Sequence, residues 1–536
     1  MSCSLRSGYS ADTNGTAASP SATSTASKTG AGTCQFRKTF KRQIIYCNKG
    51  TNNKGDGSFF LKNRTVPFIL WYNSAKQGGD LERKKVLGLR DLVLFTFCAM
   101  FGVEAIPASA AIGPSAIFWW LICTAGFFIP FGLITAELGS TYPQQGGIYV
   151  WVKKALGEKW AARTTWYYWF CLPIWLPALY IAVAEILGQI FFPNASLWFK
   201  IFLAIIMIWL TAGINLCSLK FSKWISNIGA VTRFLVVAGM VTAAVIHFLK
   251  NGSFANQINL SSIMPNLNAA IVFIPMIVYN LLGFELMSGA AGEMKNPGRD
   301  IPKTIICSAI IIVAFYLLTT FTIWVVMPAS EINVASGILQ IFITVLSDHS
   351  MRHLIVIIVG LLLSVSLFSE IVTWTLGDNR TVAEAALDGR LPKVLARINK
   401  KNMVPTGAAI ASGIISTVVI LIYGFIASDA EDLFWHTISF STVVNLFSYM
   451  ILFPTFIVLR KKDKETKRPY RVPGPDWLGI TAAIMAEAFV LLTILVLVLQ
   501  PGDDFLRVCL PIITGVIITV GVGEIFIARS LKKVKS

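Results

Sequence analysis

Between Asn268 and Lys303 the chain reads NAAIVFIPMIVYNLLGFELMSGAAGEMKNPGRDIPK. It begins as a strongly apolar run of the kind that enters a bilayer, and then breaks its own pattern. Gly283 interrupts the run, Glu285 follows inside it, and Ser288, Gly289, Ala290, Ala291 and Gly292 form a patch of small residues. A carboxylate at the centre of a membrane helix costs roughly 2.5–3.5 kcal/mol on insertion scales. Irregular backbone at that depth persists only where it faces protein or a water-filled cavity. Taken alone, the stretch fits equally a flexible, tightly packed helix with an acid near its end.

A second copy changes the balance. Residues 97–113 read FCAMFGVEAIPASAAIG, so Gly102-Val103-Glu104 matches Gly283-Phe284-Glu285, each after an apolar half-helix and before small residues. Interrupted hydrophobic segments at corresponding places in two halves of a chain point to the substrate site of a transporter built from inverted repeats.

Composition agrees. The chain has 536 residues, is 55% hydrophobic and 14% charged, and contains many separate apolar runs near the roughly 20 residues a spanning helix requires. The expected class is an all-α polytopic membrane protein. A net charge of +18 could suggest nucleic acid, but the bases sit in particular loops, which is a topology signal. Nine cysteines without CxxC spacing and four histidines without HExxH leave no metal site to expect, and no cofactor motif is visible. No cleavable secretory signal opens the sequence.

Residues 1–80 form a separate region of Ser/Thr/Gly/Ala-rich low complexity followed by the basic residues Arg37, Lys38, Lys41 and Arg42. A disordered cytoplasmic tail, an upstream extension of translation and an organelle transit peptide all fit that composition. From Leu81, twelve spans are expected, at about 88–111, 114–137, 164–191, 197–218, 223–249, 268–291, 303–327, 353–377, 405–425, 433–459, 476–499 and 506–528. Basic clusters follow every even-numbered span up to the tenth, including seven bases between Arg460 and Arg471. Both termini are therefore expected in the cytoplasm. Residues 81–265 and 266–460 would be two five-helix units, inverted because each has an odd number of spans. Residues 461–536 add a basic loop, two helices and a short tail. Glu185 in span 3 and Glu370 in span 8 read as a further repeat-related pair of acids.

Specific motifs carry a resemblance. Ala136-Glu137-Leu138-Gly139, then Tyr142-Pro143 and Gly146-Gly147-Ile148-Tyr149-Val150-Trp151, resembles the junction after the second helix of the amino acid–polyamine–organocation (APC) superfamily. Asn296-Pro297-Gly298-Arg299-Asp300-Ile301-Pro302 resembles the loop after its sixth. Gly283-Phe284-Glu285 leading into Glu293-Met294-Lys295-Asn296-Pro297 is similar to the bacterial glutamate/γ-aminobutyrate antiporter subgroup. The resemblance implies a five-plus-five inverted repeat with broken helices 1 and 6, two further C-terminal helices, and alternating access.

It also implies site residues. A substrate carboxylate would meet backbone N–H groups around Val103, Glu104, Ala105 and Ile106. An ammonium would meet carbonyls from Leu281 to Phe284, across Gly283. Tyr279, Glu285, Glu370 and Trp374 would line the side-chain pocket. Arg233, well inside span 5, stands where many members of the superfamily carry a lysine in place of a sodium ion. It reads as a buried structural cation, with a snorkelling arginine as the alternative. The ending LKKVKS lacks the long basic segment of the acid-activated antiporters, so acid gating of that type is not expected. Glu137 and Glu293, near cytoplasmic helix ends, read as structural anchors.

The expected function is secondary active transport of amino acids, or amino acid/amine exchange, across the cell membrane without sodium. A proton-coupled amino acid or polyamine symporter is the alternative, with Glu104, Glu185, Glu285 and Glu370 as proton carriers. A non-transporting nutrient sensor is a reading of another class, and a channel fits less well because both repeats contain broken helices. No nucleophile–base motif suggests an enzyme. The expected partners are the small-molecule substrate and the lipid bilayer, not nucleic acid, and a homodimer stays open.

Overall fold

The computed structural model describes residues 84–535 except 218, 266, 333–336, 348, 400 and 500–508. The expected N-terminal tail, residues 1–80, lies outside the described residues. Among these residues there is no strand beyond two isolated bridges, Leu87 with Met294 and Asn399 with Val404.

Span 1 is two pieces, α1 (Leu89–Met100) and α2 (Ile106–Ala111), joined through a 3-10 turn at Val103–Ala105. Next come α3 (Ala116–Thr141), a short α4 (Ile148–Leu156), α5 (Glu158–Phe191), α6 (Leu197–Asn215) and α7 (Leu219–Asn251). Span 6 is again broken, into α8 (Leu267–Asn280) and a 3-10 stretch at Leu286–Glu293. The chain continues through α9 (Pro297–Val326), short α10 (Gly337–Val345), α11 (Arg352–Leu387), α12 (Thr406–Ile426), α13 (Ala430–Lys462), α14 (Asp476–Leu499) and α15 (Leu510–Lys535). Among the described residues, 10 helices are long and apolar enough to cross a membrane. The two broken segments complete the expected set of spans.

Several helix ends differ from expectation, among them the start of the seventh span, at Pro297 instead of 303. The third span starts at Glu158 instead of 164, and the eighth runs on to Leu387 instead of stopping at 377. Asp378, Asn379, Arg380 and Thr381 ended the apolar run in the sequence, yet all four are buried and helical. They pack against protein, not lipid, so hydropathy is no guide to where that helix ends.

The helices sort by what surrounds them. The apolar window of α5 is 83% buried, whereas α6, α12, α14 and α15 turn most of theirs outward, as lipid-facing helices do. α5 packs on both α11 and α13, while α7, α9 and α11 pack on α1, the first half of the broken span 1. Within α3, a π-helical stretch at Thr124–Phe128 precedes Pro130. Proline lacks the N–H that would bond the Gly126 carbonyl, and a wider turn relieves its ring clash.

Candidate functional site

Where α1 stops, its last carbonyl groups lose their helical partners and must find others. Three helices supply them. The Ala99 carbonyl accepts from Trp374 Nε1 at 2.7 Å, the Met100 carbonyl from the Tyr316 hydroxyl at 2.7 Å, and the Phe101 carbonyl from Arg233 Nε at 2.7 Å. The Tyr316 hydroxyl oxygen in turn accepts the Gly102 N–H at 2.8 Å. Gly102 has ordinary backbone angles; its bare Cα matters because the Glu104 carboxylate folds back over it. A Cβ there would lie 2.6 Å from Glu104 Oε1.

The second break has a different cause. Gly283 sits at φ +123°, a region closed to other residues, and a Cβ on it would press on Trp374 and Met100 at 3.0 and 3.1 Å. The two breaks are thus held against each other, with Trp374 between them.

Together they border a cavity. Its lining includes Met100, Gly102 and Glu104 from the first break and Tyr279, Asn280 and Leu282 from the second. α5 adds Cys171, Leu172 and Trp175, α11 adds Glu370 and Trp374, and α13 adds Ser441, Thr442 and Asn445. Trp175 and Trp374 meet edge to face with centroids 5.8 Å apart, and the Trp175 indole N–H donates to the Tyr279 hydroxyl. Several polar atoms on this wall have no hydrogen-bond partner from another described residue: both oxygens of Glu104, both amide atoms of Asn280, and Asn445 Oδ1. Buried polar groups are seldom left so. Here they point to a ligand.

Arg233 is completely buried. Beyond Phe101, its guanidinium donates to Glu370 Oε2 at 2.5 Å and to Cys98 Sγ at 3.0 Å. Glu370, on the cavity wall, is therefore already engaged by a cation. Glu104 is not.

Of the sequence-derived site residues, Glu104, Tyr279, Glu370 and Trp374 meet at the cavity, and Arg233 stands behind Glu370. Val103, Ile106, Leu281, Gly283, Phe284 and Glu285 are not on its wall. Phe284 turns away to stack on Phe128 at 4.7 Å and to meet Phe131 at a tilt, 5.4 Å away, and Ala105 contributes backbone to the 3-10 turn. Glu285 Oε1 instead accepts from the Tyr168 and Tyr449 hydroxyls at 2.8 and 2.7 Å. Glu185 lies elsewhere. It occupies the last two turns of α5, bonds Lys200 Nζ at 2.7 Å, and borders a separate, outer vestibule with Asp429 and Glu431. Glu370 lies near the middle of α11, so the two do not hold corresponding positions along their helices. Glu104 lines both the cavity and this vestibule.

Sequence reasoning missed Trp175, Asn445 and Asp378. The first two look like ordinary residues of apolar spans, and only their facing directions single them out. Asp378 lay beyond the expected end of its span.

At the side bearing the basic loops, the bundle is tied shut. Glu137 accepts from Arg460 Nε and Nη2 at 3.0 and 2.6 Å, from Arg468 Nε at 3.0 Å and from the Val472 N–H at 2.8 Å. Glu293 accepts from Arg380 Nε at 2.7 Å, while its carbonyl takes the Val86 and Leu87 N–H groups. Both acids are anchors in this geometry. In the loop beyond α13, Asp463 accepts from Thr466 and Tyr142, and these bonds hold its carboxyl below the usual range.

Residues 87–522 match the family model described as amino acid permease. A probable agmatine/putrescine antiporter of Lactococcus lactis subsp. lactis is 34% identical over 454 residues, covering 84% of this chain and 96% of that protein. A glutamate/gamma-aminobutyrate antiporter of the same organism is 25% identical over 407 residues, 73% of this chain and 79% of that one. Among solved structures, MhsT in complex with L-phenylalanine superposes with a TM-score of 0.57. The match covers 78% of this chain and 99% of that one at 16% identity, and it is a likeness of fold.

Proposed function

This chain belongs to the amino acid permease family, and we propose that within it the protein exchanges positively charged, amino acid-derived amines without sodium. It is a multi-pass membrane protein and a secondary transporter of amino acids or amines. The observation that carries the finer reading is Glu104, whose unpartnered carboxylate faces the cavity beside Trp175, Tyr279 and Trp374. An ammonium or guanidinium group gains a charge-assisted hydrogen bond there, and the aromatic faces attract the same cation. Asn280 and Asn445 supply donors and acceptors for the rest of the ligand. The substrates named for the agmatine/putrescine antiporter, both amine cations, fit this wall.

Arg233 supports independence from sodium. Its fixed positive charge occupies the space between the broken end of α1 and α11, bonded to the Phe101 carbonyl and Glu370. A sodium ion there would meet repulsion. We place the protein in the cell membrane with both termini cytoplasmic, from the distribution of basic loops. Because the cavity is complete within one chain, a homodimer would pair two independent transport units, and crosslinking in native membranes checks for it.

Proteoliposomes test the reading. Uptake of labelled putrescine or agmatine is expected only into vesicles loaded with amine, and to be unchanged when sodium is omitted. Glu104→Gln should reduce it by about tenfold or more, the loss expected for one charge-assisted bond. Uptake into empty vesicles driven by a proton gradient would favour the symporter. Dependence on a sodium gradient would refute the role given to Arg233.

A further inference from the structure

A second layer of polar side chains lies directly beyond the cavity, and three helices build it in the same register. On α5, Tyr168 is one turn from cavity-lining Leu172; on α13, Tyr449 is one turn from Asn445; on α11, Asp378 is one turn from Trp374. Residues four apart share a helix face. Each step is displaced about 6 Å along its axis, at 1.5 Å per residue. All three go towards the end of the bundle that carries the basic loops, because α5 begins there while α11 and α13 end there.

Glu285 stands in this layer, its Oε1 engaged by the two tyrosines and its Oε2 without a partner. Asp378 is 1% exposed, and neither of its oxygens has a hydrogen-bond partner. It lies within electrostatic range of Glu285, Tyr168 and Cys171. Its sequence neighbours are committed elsewhere. Arg380 is bonded to Glu293 and to the Leu376 carbonyl, and Asn379 Oδ1 accepts from Trp169 Nε1 at 3.3 Å. Three carboxylate oxygens of this layer, Glu285 Oε2 and both of Asp378, thus have no hydrogen-bond or ion-pair partner among the described residues. A buried acid without a partner is heavily penalised unless a counter-charge reaches it.

We propose that Asp378, with Glu285, forms a second, inner cation station that takes the far charged group of a two-charged amine as it passes towards the cytoplasm. This deepens the proposed function and rests on it. Along α11 the stripe Glu370, Trp374, Asp378 recurs every four residues on one face. The first is neutralised by Arg233, the second is an aromatic wall, and the third is open. A diamine can leave one charge at Glu104 or the cavity aromatics while the other enters the lower layer. A singly charged amine of the same length gains nothing from the lower layer.

The test compares putrescine with n-butylamine, which has the same four-carbon chain and one charge fewer. Everted membrane vesicles carrying the full-length protein expose its cytoplasmic face, and half-saturating concentrations are measured for each amine in exchange with trapped putrescine. Asp378→Asn is expected to raise the putrescine value by about tenfold or more, as a lost charge-assisted bond does, and to leave n-butylamine nearly unchanged. Asp378→Glu should keep most of the preference, and Asp378→Ser provides a second removal of charge should the Asn variant fail to fold. Equal shifts for both amines, or none for putrescine, overturn the station. So does a change confined to the pH profile of exchange, which would make Asp378 a proton carrier. If the wild type exchanges no amine at all, the proposed function itself fails and the station with it. A wild type that exchanges amines, with variants of unaltered preference, sinks the station alone.

Discussion

Arg233 has lost all contact with solvent, and what it contributes depends on what it touches. Its partners are the Phe101 carbonyl, Cys98 and Glu370. A buried ion pair is weak evidence of net stability, but removing one half of it strands the other. Arg233→Gln and Glu370→Gln are each expected to destabilise the purified protein by roughly 3–5 kcal/mol. The double variant should cost clearly less than the sum of the two. Thermal unfolding in detergent across this cycle checks the coupling, and additive losses would show that the pair is not an energetic unit. Stability and transport separate here: the double variant removes the fixed cation, so a sodium effect absent from the wild type is the readout to look for.

At the scale of elements, the two breaks are maintained by different means, and they should fail differently. The first depends on satisfied backbone groups. Tyr316→Phe removes the acceptor for the Gly102 N–H and the donor to the Met100 carbonyl at once. Leaving such groups buried costs roughly 1–3 kcal/mol, so a lowered unfolding midpoint with partly retained exchange is expected. The second depends on conformation. Gly283→Ala forces a side chain into a positive-φ position already crowded by Trp374. Exchange should be lost while the protein still reaches the membrane; wild-type transport in this variant would mean that the break is unimportant to the site.

For the whole molecule, the relevant feature is asymmetry between its two ends. The end with the basic loops is bound by Glu137, which joins α3 to α13 and to the segment beyond it, and by Glu293, which joins the broken sixth span to α11. The opposite end holds the vestibule of Glu185, Asp429 and Glu431, which reaches the cavity at Glu104. This arrangement is closed towards the basic loops, one of the two states that alternating access requires. Glu137→Gln weakens bonds from two arginines and should shift the population towards the other state. Hydrogen–deuterium exchange is expected to rise at 84–88 and 286–293, the segments nearest the closure. An unchanged pattern there would mean that Glu137 stabilises the fold without governing access.

Much of this was legible along the chain, because the bilayer imposes local rules. Hydropathy located the spans, and the recurrence of Gly-x-Glu at Gly102 and Gly283, in corresponding apolar runs of two halves, announced both breaks. Arg233 stood out because a charge in mid-span must be met by something. What one-dimensional reading could not supply was direction. Phe284 and Glu285 are neighbours in the motif, yet one packs against Phe128 and the other bonds two tyrosines, because adjacent residues on a turn face different ways. Glu185 and Glu370 share a sequence pattern but lie in different surroundings. Asp378 looked like the first residue outside the membrane, since hydropathy cannot tell a polar turn in water from one enclosed by protein. The local sequence determined where the helices run and where they break; tertiary packing alone decided which carboxylates are neutralised by a cation and which are left open to one.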